Sequence, residues 1–149
     1  MELVFEQNLV PRLIFSFIAL MLMIGPAKAD FNATHATNPL WPPHARFHVV
    51  WQVLYNSCIS IVTLFLLWSP SPDYATHIYL AATLNFLWGA NFYCTILAMP
   101  LFDGALRDVN GIEPFRFNVF GRVYEVDTNV FGGTVLMILN LIGVLLVSA

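Results

Sequence analysis

The chain has 149 residues, 58% of them apolar and only 10% charged, with a net charge of −3. Soluble domains carry about 25% charged residues, so this chain lacks the polar surface to cover a core in water and fits a bilayer instead. Its six basic residues are scattered, which excludes a nucleic-acid-binding patch.

The first predicted element is the apolar run over residues 13–27, preceded by Arg12 and followed by Ala27-Lys28-Ala29. A secretory signal peptide has this outline, down to the small-x-small cleavage pattern. Glu2 and Glu6 leave the preceding segment without a clear positive charge, and the run extends back to Leu9 if Arg12 snorkels to the interface. A retained helix over residues 9–27 is the favoured reading, and a cleaved signal peptide is the other.

Residues 30–43 carry Asn38-Pro39 and Pro42-Pro43. Proline suits the first helical turn, where its missing N–H has no intrahelical partner, so a second helix is predicted over 43–68. The loop 69–76 is short and proline-bearing, which makes the second and third helices a tight antiparallel pair. The third helix is predicted over 77–99 and ends at Pro100. A fourth is predicted over 129–148. Residues 49–68, 78–99 and 130–149 contain no acidic or basic side chain. Each reaches the roughly 20 residues that a 30 Å hydrocarbon core requires of a helix, and lipid forbids open strands there. Cys58 and Cys94 lie within these stretches, outside any CxxC or CxxCH context, and read as free thiols at lipid depth.

The connection 100–128 is the longest polar part. Phe115 to Val119 alternates apolar and polar, and Phe120-Gly121 can turn the chain back into Arg122 to Val126. A short β-hairpin is predicted there, with Phe115, Phe117 and Val119 as an apolar edge lying as a lid over the His48 end of the bundle. The fold class is thus all-α integral membrane: one transmembrane domain over residues 1–149, a four-helix bundle with a long interfacial loop.

With four helices the two longer loops share a face and hold five of the six basic residues. The positive-inside tendency places that face in the cytoplasm. A translocating first segment would reverse it and make Asn32-Ala33-Thr34 a glycosylation sequon.

The helices carry polar faces. On the second, His44, His48, Gln52, Asn56 and Ser60 recur every four residues, forming one slowly winding stripe. On the third, Asn85, Trp88, Asn91, Phe92 and Thr95 share an arc of about 120°. On the fourth, Asn129, Gly133, Asn140 and Gly143 align. Unpaired polar groups are costly in lipid, so these faces are expected to meet inside the bundle. They act there as helix–helix glue or as the lining of a cavity for a small apolar ligand. His48, Gln52 and Asn56, with Tyr93 as a further proton or hydrogen-bond donor, are the candidate catalytic residues. His44 and His48 at i, i+4 can share a metal, but there is no HExxH and no further histidine pair among His35, His44, His48 and His77. No multi-histidine metal centre is expected; a single axial histidine, His48, to haem needs no more than this.

The stretch from Asn38 to His48, with its Trp41-Pro42-Pro43-His44-Ala45-Arg46-Phe47-His48 core, resembles a motif of small four-helix membrane proteins of unknown function. More distantly, the arrangement resembles the styrene oxide isomerase family. That resemblance implies haem b bound by His48 of Arg46-Phe47-His48, with Tyr93 of Phe92-Tyr93 assisting epoxide opening. The family's asparagine position falls on Leu54 here, leaving Gln52 or Asn56 as substitutes, and the family's glycine-rich sequence after the third helix is absent.

The favoured function is a membrane protein with a polar-lined cavity for a small apolar ligand, extending to isomerase-type chemistry on an oxygenated lipophilic substrate. The alternative is a non-catalytic subunit or assembly factor whose stripes join helices, within one chain or in a homo-oligomer. A transporter is disfavoured, because no ionisable coupling residue lies within the apolar stretches of the last three helices.

Overall fold

A computed structural model describes residues 8–107 and 111–147. Four helices follow one another: α1 (Leu9–Asp30), α2 (Pro43–Trp68), α3 (Tyr74–Ala98) and α4 (Thr128–Leu145). A 3-10 turn at Met99–Leu101 ends α3, and the strands β1 (Phe115–Val119) and β2 (Arg122–Val126) precede α4. All four helices, with α3 extended through the 3-10 turn, are long and apolar enough to cross a membrane, compatible with a multi-pass membrane protein.

Local chemistry sets several of the ends, and some lie one to three residues from the predicted positions. Pro43 opens α2 as expected. Helix α3 starts at Tyr74 rather than residue 77, because the Asp73 carboxylate accepts the Thr76 N–H at 3.1 Å, a standard N-cap. Hydrogen bonds from Thr76, its side chain foremost, hold the Asp73 carboxyl below the usual carboxylate range. A charged cap there complements the helix dipole. Asp127 likewise caps α4 through the N–H groups of Asn129 and Val130; that helix ends at Leu145, and its predicted end, residue 148, lies outside the described residues. At the other end of α1, the helix runs on past residue 27 to Asp30. Asn32 Nδ2 closes it by donating to Lys28 O and Ala29 O. The sequon amide is thereby engaged as a C-terminal cap, and Ala27-Lys28-Ala29 lies in helix.

The helices form an up-down-up-down ring. Helix α1 packs against α2 and α4 and reaches α3 across the bundle, while α2–α3 and α3–α4 complete the ring. The core is centred on α1, whose Phe15, Ile18 and Leu22 join Leu67 of α2 and Ile78, Ala81 and Ala82 of α3. Close approach is built in at Gly143, where an added Cβ would lie 2.6 Å from the Phe15 ring.

Arg12 departs from the snorkelling expectation. It is fully buried, donates from Nη2 to Leu67 O, and lies 4.7 Å from the Trp68 ring centroid and 5.3 Å from that of Tyr74. The physical reason is the end of α2. Its last carbonyls have no intrahelical donor and carry the negative end of the helix dipole, while two aromatic faces favour a cation. Trp68 Nε1 adds a 2.8 Å bond to Ser16 Oγ, so the start of α1 is fastened to the end of α2.

The strands pair antiparallel in the register Phe115↔Val126 to Val119↔Arg122. Phe120 (φ 50°) and Gly121 (φ 80°) both take positive φ, as a two-residue hairpin turn requires. Asn118 Oδ1 accepts the Gly121 N–H, and Arg116 pairs with Glu125 at 3.0 Å. Of the predicted apolar edge, Phe115 and Phe117 pack on Phe131 of α4. The ring neighbours of His44 and His48 are each other, Phe47 and Trp51. The hairpin is therefore anchored to α4, and its aromatic edge does not stack on the histidine pair.

Candidate functional site

Hydroxyls and amides solve the problem of lipid differently. A Ser or Thr in a helix can bond the carbonyl four residues back. Ser57, Thr63, Thr83, Thr95 and Thr134 do so at 2.7–2.9 Å. An Asn or Gln side chain has two donors and an acceptor and needs partners beyond its own turn. Asn85, nearly fully buried, finds one across the bundle by donating to Phe15 O at 3.1 Å. Asn56 does not: its Nδ2 is buried without a hydrogen-bond partner among the described residues.

Asn56 borders a groove of about 410 Å³ between α2 and α3, closed at its back by Leu22 of α1. The α2 wall carries Gln52, Asn56 and Ser60; the α3 wall carries Asn85, Trp88, Asn91, Phe92 and Thr95. The predicted stripe and the predicted arc thus meet along one groove. Because the helices are antiparallel, Ser60 and Asn85 mark one end while Gln52 and Thr95 lie toward the face that holds the longer loops. Sequence reasoning missed the apolar contributors Tyr55, Ile59, Leu84 and Leu87. Nothing in their spacing separates them from lipid-facing residues.

The other predicted site residues lie elsewhere. His48 is exposed one turn beyond Gln52, its Nε2 3.0 Å from His44 Nε2. Tyr93 projects from the opposite side of α3, bonded to Thr134 Oγ1 at 2.6 Å. There it lines a second groove of about 600 Å³ between α3 and α4. In that groove Thr83, Tyr93 and Thr134 satisfy one another or their own helix; Asn140 Oδ1 is the buried atom left without a partner among the described residues. The structure therefore unites Gln52 and Asn56 and separates both from Tyr93. Neither groove borders His48, whose ring neighbours are His44, Phe47 and Trp51. Among the described residues no group of three or more His, Cys, Asp or Glu side chains is placed to hold a metal.

The chain belongs to a family of unknown function (DUF6640), whose model matches residues 14–110. The match takes in α1 from Ile14 onward, α2, α3 and every residue lining the α2–α3 groove. No curated protein and no solved structure matches the chain.

Proposed function

We propose that the protein binds a small lipophilic molecule carrying a hydrogen-bond-accepting oxygen in the α2–α3 groove. The observation that carries this reading is the unpartnered Asn56 Nδ2 in a groove of about 410 Å³, a size within the usual range of ligand pockets. An unsatisfied buried donor costs about 1–3 kcal/mol. A ligand oxygen offsets that cost in a place where lipid tails cannot. Trp88, Phe92 and Tyr55 supply the apolar contact, and Gln52 can offer a second donor.

Rearrangement of an oxygenated ring is the chemistry such a set suits, because two amide donors can stabilise charge developing on one oxygen. No histidine or carboxylate lines the groove, so the two amides would act on the ligand oxygen without a neighbouring proton-transfer group. The glue reading is supported for different residues. Asn85 with Phe15 O, Trp68 with Ser16, and Tyr93 with Thr134 are direct interhelical bonds, each worth about 0.6–1.7 kcal/mol in a membrane protein. Polar residues of both kinds coexist in one bundle.

Mass analysis of the lipophiles that co-purify in mild detergent tests the proposal. An oxygenated species should accompany the wild type and be depleted in Asn56→Leu, with the fold intact by circular dichroism. Identical extracts from the two proteins would contradict it.

A further inference from the structure

Helix α2 has 26 residues and is about 39 Å long at 1.5 Å per residue, which exceeds a hydrocarbon core of about 30 Å. The excess lies at its start. The C-terminal end reads Leu64-Phe65-Leu66-Leu67-Trp68, whereas the first two turns hold His44, Arg46 and His48. His44 and His48 thus stand at the membrane–water boundary, both exposed, and outside the α2–α3 groove.

Their geometry is specific. Nε2 of His44 and Nε2 of His48 are 3.0 Å apart, with ring planes 82° from parallel. Two metal–nitrogen bonds of about 2.0–2.1 Å sharing one ion at that separation enclose an angle of about 91–97°. That is the angle between adjacent positions of a tetragonal or octahedral ion, below the tetrahedral value of about 109° that structural zinc prefers. A neutral ring that carries its proton on Nδ1 has its Nε2 lone pair free for an ion, and exchange between the two tautomers through solvent leaves the charge of the pair unchanged.

We infer that His44 and His48 form a two-histidine site for a late first-row divalent ion of the nickel or copper type, with the remaining positions filled by water or an exchangeable ligand. The site stands apart from the proposed groove, so either can fail without the other. Imidazole suits these ions, and their affinity for nitrogen sites runs high in the divalent series.

Calorimetric titration of Ni2+ into the detergent-solubilised full chain, prepared without a histidine tag, tests the inference. One ion should bind per chain. His44→Ala and His48→Ala should each weaken binding by about tenfold or more, since each removes half of the protein ligand set. His35→Ala and His77→Ala should leave it unchanged. Both rings are exposed, so the metal-free thermal midpoint should be the same in His48→Gln as in the wild type; a shared loss of fold would be visible there. Absence of saturable binding below about 1 mM, or binding indifferent to both histidines, overturns the site.

Discussion

Single atoms decide which polar residues are structural. Asn85 and Asn56 look alike in sequence, one on each facing stripe, yet Asn85 Nδ2 is satisfied by Phe15 O while Asn56 Nδ2 has no partner among the described residues. Glycines divide in the same way. An added Cβ at Gly143 meets the ring of Phe15, which is fully buried and has no room to move; at Gly89 it meets the flexible end of Met137. Helix propensity favours alanine over glycine by about 1 kcal/mol at either site. Overpacking costs about 1–3 kcal/mol where the neighbour cannot yield. Gly143→Ala should therefore lower the thermal midpoint in detergent, and Gly89→Ala should leave it unchanged or raise it. Equal effects from the two would contradict the packing assigned to Phe15.

At the scale of elements, α1 organises the bundle. It contributes Phe15, Ile18, Ala19 and Leu22 to the core and closes α2 through Arg12 and Ser16. A chain that begins at Asp30 should consequently lose the bundle and aggregate on size-exclusion chromatography. A monodisperse, helical product from that truncation would show that α2 to α4 hold together unaided. Much of this level was legible in the sequence: α2 and the hairpin strands fall where apolar length, Pro43 and alternation place them, because those signals are local. Helix α3 began three residues early because a single capping carboxylate outweighed the onset of the apolar run. Arg12 was misplaced for a different reason. Its partners, Leu67 and the rings of Trp68 and Tyr74, lie more than fifty residues away, and only the α1–α2 contact brings them together. The rule that a charge within an apolar helix needs an interior partner was the available signal.

For the whole molecule, the same contrast governs the site. Periodicity on α2 and α3 identified Gln52, Asn56, Ser60, Asn85, Trp88, Asn91, Phe92 and Thr95, all of which line one groove, because a helix face is a local property. The helix angle already sets Tyr93 away from the Asn85–Thr95 arc, and it faces α4; which faces meet is not local, so the exposure of His48 on the outer surface was not legible. The central claim is that the α2–α3 groove is a ligand site rather than an imperfection of packing. Photoaffinity labelling of the protein in lipid nanodiscs, using a small lipophilic ketone bearing a diazirine, tests it most directly. The expected result is labelling confined to residues 52–60 of α2 and 84–95 of α3 and suppressed by excess unlabelled ketone. Labels spread over all lipid-facing surfaces, or concentrated between α3 and α4 and insensitive to competitor, would contradict it.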